Sequence, residues 1–312
     1  MNPAEWLCYR LALHMLRRRK PGDAGANPAS YRREDYEEHR ARTLEQEFDK
    51  YFSTVDLHGL DVLDFGCGHG GLAAYVARRG VRSVTGMDLA ADRIASAETR
   101  VRSMDLPVKP RFIVAADERT IPLESGSVDA ILCFDVLEHV MAYEAIVREW
   151  RRVLRPNGRV LIHWVPWWNP YGPHINSLVP IPWSHVLFSE RVLINTCARI
   201  YDLPDFVPKH WDLDEQGRKK PNKWRVLKEL PEVNRLTIRQ FERTARAIGF
   251  ELIRRQIVGF GGRAGRWTRG LTSVPWINEL FTSHTVYKLL KPETARRQHA
   301  RSRARERAKS PA

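Results

Sequence analysis

Cysteine is scarce in this chain of 312 residues, and its four copies are isolated from one another. Cys8, Cys67, Cys133 and Cys197 include no CxxC pair and show no zinc-ligand spacing. This pattern argues against a zinc-binding module. We expect all four to be reduced thiols, as in a cytoplasmic protein.

Long apolar runs are also missing from the sequence. No segment approaches the roughly 18 consecutive apolar residues that a membrane-spanning helix needs. At the N-terminus, the basic cluster of residues 17–20 follows the apolar stretch, whereas a secretory signal places it first. We therefore predict a cytoplasmic protein with no membrane span.

Positive charge is concentrated at the two ends of the chain, although the net charge is +14. Residues 1–30 are predicted to form a basic helix, over 3–19, followed by a linker rich in glycine and proline. Residues 291–312 carry eight basic side chains against two acidic ones and are predicted to be a disordered tail. Such termini suit an anionic surface, so peripheral membrane contact is one expectation and nucleic acid is the alternative.

Strands and helices alternate through most of the chain, which predicts an α/β fold with a doubly wound, mostly parallel sheet. The expected strands cover residues 61–65, 83–87, 111–115, 128–134, 159–164, 250–258 and 283–289. The expected helices cover residues 32–52, 70–79, 91–104, 138–154 and 237–248. A cofactor-binding core is thus predicted over 31–164, and the rest of its sheet over 236–290.

Residues 165–235 interrupt this alternation with a segment rich in proline and aromatic residues, apart from a helical stretch near 189–201. We predict an inserted lid over the substrate site. Its aromatic residues either line an acceptor pocket or form the core of the lid. These residues are Trp164, Trp167, Trp168, Tyr171 and Trp183.

A glycine-rich turn, residues 66–71, follows the first predicted strand. Glycine lets the backbone turn sharply and lets a ligand approach closely, and ligands of open α/β sheets bind beyond the carboxyl ends of the strands. Gly66, Gly68 and Gly71 satisfy GxGxxG, and Asp88 lies where an acidic residue would bind ribose hydroxyls. This spacing fits either a dinucleotide enzyme or a methyltransferase.

Five strings taken together resolve that ambiguity by resemblance. Residues 64–70 match DxGxGxG, Asp88 ends the second strand, and three more strings follow at residues 116–118, 134–140 and 153–158. The chain resembles the class I S-adenosylmethionine-dependent methyltransferase superfamily, and most closely its ubiquinone-biosynthesis O-methyltransferase-like branch. The resemblance implies a Rossmann-like sheet of seven strands, the last one antiparallel, and S-adenosylmethionine as the cofactor.

The resemblance also implies which residues bind the cofactor. Asp88 would bind the ribose and Asp117 the adenine amino group. The full set of expected cofactor residues is Asp64, Gly66, Cys67, Gly68, Gly70, Asp88, Leu89, Asp117, Glu118 and Phe134. In the ubiquinone branch, the positions of Asp135, Glu138 and His139 are proposed to hold a divalent cation, which here would be Mg²⁺. Asp135 replaces the usual glutamate and is shorter, and many relatives with similar strings use no metal. We therefore expect no bound metal, with this set as the alternative.

His139 is the candidate general base, because a hydroxyl acceptor must lose its proton when it is methylated. The alternative for His139 is packing against the cofactor. The expected reaction is methyl transfer to a small-molecule or lipid-linked acceptor, at oxygen.

Three competing functions stay open at this point. An RNA or protein methyltransferase would use the basic tails, but the fourth strand ends in residues 134–136 (FDV) instead of an NPPY-type string, and the chain has no Pro-Cys dipeptide. An NAD(P)-dependent oxidoreductase would use the glycine turn. A non-catalytic relative would keep only the fold.

Overall fold

The computed structural model describes residues 1–20, 32–230, 233–261, 265, 268, 270–275 and 277–293. The predicted linker at 21–28 and the tail from residue 294 onward lie outside this part of the chain. Within it, no helix is long and apolar enough to cross a membrane.

One sheet of seven strands, in the order β3-β2-β1-β4-β5-β7-β6, organises the protein. The first five strands are parallel, and β7 lies antiparallel between β5 and β6. The strands are β1 (Asp61–Phe65), β2 (Ser83–Asp88), β3 (Arg111–Val114), β4 (Val128–Phe134), β5 (Leu154–Trp164), β6 (Glu251–Gly259) and β7 (Thr282–Leu290). The predicted fold class is confirmed. The strand order reverses between β1 and β4, which is where such sheets bind ligands.

Helices cover both faces of the sheet, because each face is a continuous apolar surface that must be buried. One face packs on α5 and α8 through Trp150 and Phe241, and the other packs on α2 and α3 through Phe48 and Leu72. The helices are α1 (Pro3–Arg17), α2 (Arg33–Phe52), α3 (Gly71–Val76), α4 (Ala91–Arg102), α5 (Tyr143–Val153), α6 (Ser184–Leu187), α7 (Glu190–Tyr201) and α8 (Ile238–Ile248).

The helix predicted from residue 138 begins later, at Tyr143. Leu137–His139 form a single 3₁₀ turn, and Val140 is extended. The side chain of Asn234 accounts for this difference, because it donates hydrogen bonds to the carbonyl oxygens of Leu137 (2.7 Å) and Val140 (2.8 Å). Because these two oxygens accept hydrogen bonds from the Asn234 side chain, residues 137–140 do not continue into α5.

The fifth strand begins earlier than predicted, at Leu154 instead of residue 159. The sequence predicts that residues 156–158 form the turn between the helix and the strand. Asn157 does adopt a left-handed conformation (φ 63°), but its backbone N–H donates to the carbonyl of Lys291 at 2.8 Å. The irregularity is therefore accommodated within β5.

Residues 165–230 and α1 share a core of their own. Cys8 and Ala12 of α1 are buried against α7, with Leu193 and Cys197 in the same apolar cluster. The side chain of Asn195 on α7 donates to the carboxylate of Glu5 at 2.6 Å. The predicted N-terminal helix is present, and it rests on the segment predicted to be a lid, residues 165–235, which is called the lid segment below.

Candidate functional site

A cleft of about 2040 Å³ opens at the carboxyl ends of β1, β2 and β4. Helix α2 forms one wall, and parts of the lid segment form another. The position agrees with the reversal of strand order between β1 and β4. The described cleft brings eight of the ten predicted cofactor residues together with the predicted base, His139.

The glycine turn forms the floor of the cleft. Gly66 has a φ of 74°, and a Cβ there would lie 2.4 Å from Cγ2 of Val136, so only glycine fits. Gly68 has a φ of 51° and borders open space, since no atom lies within 4 Å of where its Cβ would be. The turn thus offers bare backbone to a ligand.

Asp88 joins the glycine turn to the end of β2. Its carboxylate accepts hydrogen bonds from the backbone N–H groups of Gly68 and Ala90, each at 3.0 Å. A carboxylate has about four acceptor sites, so two backbone contacts leave capacity for ribose hydroxyls. Leu89, which is 55% exposed, lines the cleft beside it.

Two further acids lie on the same wall. Asp117 accepts hydrogen bonds from the backbone N–H groups of Arg119 (2.7 Å) and Thr120 (2.8 Å). These bonds, first that of Arg119, lower the pKa of Asp117, so it is a carboxylate at neutral pH. Glu118 accepts from the backbone N–H of Met141 at 3.2 Å. Both acids line the cleft, as do Cys67 and Phe134.

Asp64 and Gly70, also predicted to contact the cofactor, do not line the described cleft. Asp64 is buried behind the turn, where burial and then the charge of Asp88 raise its pKa to about 7. A Cβ at Gly70 would lie 2.9 Å from that of Ala97 on α4. Both residues support the turn from behind, and their direct contact with the cofactor stays a prediction.

Asp135 lies at the end of β4 and connects three elements. Its two carboxylate oxygens bond to the guanidinium of Arg40 on α2 (2.6 Å) and to Nδ1 of His163 on β5 (2.5 Å). Burial alone would raise the pKa of Asp135, but the charges of His163 and Arg40 outweigh it and hold that pKa well below its ordinary value. Burial would likewise lower the pKa of His163, yet Asp135 raises it.

The predicted metal set of Asp135, Glu138 and His139 does not converge. Among the described residues, the group whose ligand atoms come within 4.8 Å of one another is Glu47, Asp135 and His163. Both oxygens of Asp135 are engaged there, one by the cation of Arg40. A divalent cation would therefore compete with a guanidinium that already neutralises the site.

Glu138 and His139 follow Asp135 in the 3₁₀ turn. Glu138 is buried, and burial, followed by the charge of Asp135, raises its pKa to about 8. His139 is exposed to the cleft, and its ring lies 5.2 Å, centroid to centroid, from that of His174 in the lid segment. Burial and then His139 lower the pKa of His174 to about 4, so it is neutral at physiological pH.

The five aromatic residues suggested for an acceptor pocket do not line the described cleft. Trp164 is fully buried in the main core, and the indole of Trp183 donates to the carbonyl of Leu280 at 2.8 Å. None of the five belongs to the core that residues 165–230 share with α1, and Trp168 is 40% exposed, so the alternative interpretation as the core of the lid does not agree with the structure either. The phenylalanine, tyrosine and tryptophan residues that do line the cleft are Tyr36, Phe65, Phe134, Tyr201, Trp211 and Trp224.

Helix α2 is the part of the site that the sequence did not indicate. Tyr36, Glu37, Arg40 and Leu44 line the cleft, and Tyr36 packs against His210, with ring centroids 4.7 Å apart. The helix was predicted correctly but carries no motif. Its charged face was the available signal, and such faces are usually solvated.

Comparison with known proteins agrees with this geometry. The family model of a methyltransferase domain matches residues 63–162. Over these residues the chain is similar to a methyltransferase domain. The ubiquinone biosynthesis O-methyltransferase of Xanthomonas oryzae pv. oryzae is 37% identical over 108 residues, which are 35% of this chain and 44% of that protein. The enzyme of the same name from Sodalis glossinidius is 36% identical over 104 residues, which are 33% of this chain and 41% of that protein.

The methyltransferase domain thus spans less than half the length of those curated relatives. Among solved structures, a chain from the complex of the Haloferax volcanii Trm112 methyltransferase activator with a methyltransferase superposes with a TM-score of 0.50 at 13% identity, covering 82% of this chain and 95% of that one. A SAM-dependent methyltransferase from Methanosarcina mazei gives 0.47 at 18% identity, covering 75% and 93%. At such identities the likeness concerns the fold alone.

Proposed function

We propose that this protein transfers a methyl group from S-adenosylmethionine to an oxygen of a small-molecule or lipid-linked acceptor. One observation carries the proposal. The bare glycine turn, Asp88 and Asp117 border the same cleft as His139 and His174.

The residues present suit this cofactor. Asp88 would accept hydrogen bonds from the ribose hydroxyls, and Asp117 would accept one from the adenine amino group. The open space beside Gly68 leaves room for the amino-acid end of the cofactor. When bound, S-adenosylmethionine supplies an electrophilic methyl group. The protein contributes orientation and the exclusion of water, which together lower the barrier by several kcal/mol.

His139 would take the acceptor's proton. The acceptor oxygen forms a bond to the methyl carbon as the carbon–sulfur bond breaks, and the hydroxyl proton passes to the imidazole of His139. His174 is neutral and faces His139, so it can receive a hydrogen bond from the acceptor or from His139. Two imidazoles would thus fix the hydroxyl in line with the methyl group.

A lipid-linked phenol is the acceptor class that we favour. The cleft, at about 2040 Å³, exceeds the roughly 300–1,000 Å³ of an ordinary small-molecule pocket, so a cofactor and a sizeable acceptor fit together. The curated relatives are named for O-methylation in ubiquinone biosynthesis. That name supports oxygen as the methylated atom.

We propose that the reaction does not use Mg²⁺. Arg40 already neutralises Asp135, and the carboxylate of Glu138 lies in a buried position that favours its protonated form. Neither acid is therefore poised as a ligand for a hard cation. The rate in excess EDTA should equal the rate with added Mg²⁺, and a strict requirement for the ion would overturn this part of the proposal.

Transfer of labelled methyl from S-adenosylmethionine to a panel of soluble and lipid-linked phenols tests the main proposal. His139→Ala should lower kcat about 100-fold and leave cofactor affinity unchanged. The matched control is His58→Ala, an exposed histidine outside the described cleft, which should react at the normal rate. Labelling of RNA or protein with no labelling of any phenol would favour the competing methyltransferase function.

A further inference from the structure

Helix α1 has two different faces. Its inner face packs on α7 through Cys8 and Ala12, which are fully buried, and through Glu5, which bonds to Asn195. The packing leaves the opposite face of the helix on the protein surface.

Large apolar side chains form a stripe along this outer face. Leu7, Leu11 and Met15 follow one another at intervals of four residues, so they lie in a row on the helix surface. Their exposures are 47%, 42% and 36%, and that of nearby Trp6 is 52%. Single exposed apolar residues are ordinary, but a continuous row of them marks an interaction surface.

A basic row runs beside the apolar one. Arg10, His14 and Arg17 are exposed and share a strip of the helix at intervals of four and three residues. The guanidinium of Arg10 lies over the ring of Trp6, 5.8 Å from its centroid. Apolar and basic side chains interleaved on one helix face are typical of helices that lie in a membrane interface.

We propose that this outer face of α1 docks on the surface of a membrane that carries anionic phospholipids. Leu7, Leu11 and Met15 would enter the boundary between headgroups and acyl chains, and Arg10 and Arg17 would contact headgroup phosphates. Trp6 suits the interface because its ring is apolar and its N–H is polar. Charge argues against a second copy of this chain, since a symmetric contact would bring two basic rows together.

The position of α1 connects this surface to the cleft. Helix α1 packs on α7, whose last residue, Tyr201, lines the cleft. Just beyond the helix, the guanidinium of Arg19 donates to the carbonyl of Asn176 at 2.5 Å, next to Ser177 and Leu178, which also line the cleft. A membrane bound at the outer face of α1 would therefore lie one helix away from the lid segment, which borders the cleft that would receive a lipid-linked acceptor. This last step rests on the proposed function.

Cosedimentation of the full chain with vesicles tests the docking surface without any acceptor. The protein should bind vesicles of phosphatidylcholine with phosphatidylglycerol, and should bind pure phosphatidylcholine at least tenfold more weakly. The double substitution Leu7→Glu with Leu11→Glu should reduce binding to the anionic vesicles at least tenfold, as should Arg10→Glu with Arg17→Glu.

Two control variants change the same residue types elsewhere on the surface. Val226→Glu alters an apolar side chain that is 79% exposed on the lid segment, and Arg243→Glu reverses an exposed charge on α8. Both should bind vesicles like the unmodified protein. Unchanged Tm and unchanged S-adenosylhomocysteine affinity would show that the α1 variants are folded.

Unaltered vesicle binding by the Leu7→Glu, Leu11→Glu variant would overturn the proposal. If the unmodified protein is a dimer and the Leu7→Glu, Leu11→Glu variant is a monomer, the proposal would be overturned in favour of a second copy. The outcome is independent of the proposed reaction, because a protein that binds vesicles through α1 and methylates nothing would refute only the latter.

Discussion

Asn234 donates from its side-chain amide to the carbonyl oxygen of Val140 at 2.8 Å, although the two residues lie 94 positions apart. The same amide donates to Leu137 at 2.7 Å, and its own oxygen accepts from the backbone N–H of Leu236 at 3.0 Å. All these groups are buried. One side chain therefore fixes the 3₁₀ turn on which His139 is presented to the cleft.

Asn234→Ala should loosen this turn. The substitution leaves the buried carbonyl oxygen of Val140 and the N–H of Leu236 without partners, each at a cost of about 1–3 kcal/mol, and removes one of the two donors to Leu137. We expect the free energy of unfolding, measured in urea, to fall by about 3 kcal/mol, and kcat to fall more than the cofactor affinity does. Asn222→Ala is the control, because Asn222 bonds to the carbonyl of Ala198 in the lid segment. Equal losses of kcat in both variants would contradict a positioning role for Asn234.

Gly66→Ala should disrupt the glycine turn. A left-handed alanine costs about 1–2 kcal/mol, and the new methyl would lie 2.4 Å from a methyl group of Val136. We expect cofactor affinity to fall about 100-fold or more by calorimetry. Gly126→Ala controls for backbone strain alone, since Gly126 has a φ of 65° and no atom lies within 4 Å of where its Cβ would be. Similar losses of affinity in the two variants would show that contact with Val136 is irrelevant.

Asp88→Ala should weaken cofactor binding while leaving the fold intact. It removes an acceptor from the ribose and from the backbone N–H of Gly68, and charge-assisted hydrogen bonds contribute about 1.5–3 kcal/mol each. We expect a 10- to 100-fold loss of S-adenosylhomocysteine affinity, which corresponds to the loss of about one such bond. Asp105→Ala, an exposed acid outside the described cleft, should bind normally. Normal binding by Asp88→Ala would refute the ribose role.

The pair of Asp135 and His163 should make stability depend on pH. The lowered pKa of Asp135 gives a contribution that is present above the ordinary aspartate range and lost as pH falls through the folded pKa. The raised pKa of His163 gives one that is present below the ordinary histidine value and lost as pH rises through the folded pKa. The interaction between Asp135 and His163 therefore stabilises the folded state most between about pH 4 and 6.5.

Asp135→Asn measures this contribution. Asparagine tolerates the left-handed conformation of Asp135 (φ 52°), so the change removes charge without adding strain. We expect a loss of about 3 kcal/mol at pH 5.5 and a smaller one at pH 9, by urea unfolding. A loss that grows toward alkaline pH would contradict the assignment. Trp164 lies next to His163 on β5 but keeps its side chain in the opposite core, so Trp164→Phe should show no such pH dependence.

The sheet was predictable from sequence because its signals are local. Strand β1 is a buried apolar run closed by Gly66, and the structure gives it the predicted limits, 61–65. The fold of the cleft floor follows from that turn. The contacts that complete the site are not local, since Arg40 meets Asp135 across 95 positions and Asn234 reaches back over the whole lid segment. No periodicity reports such pairs.

Binding calorimetry with S-adenosylhomocysteine and with NADH tests the central claim most directly. The glycine turn alone fits either ligand, whereas Asp117 and His139, which border the same cleft as Asp88, favour the first. We predict one S-adenosylhomocysteine bound per chain, with no heat from NADH. Tight binding of NADH without a response to S-adenosylhomocysteine would contradict the assignment.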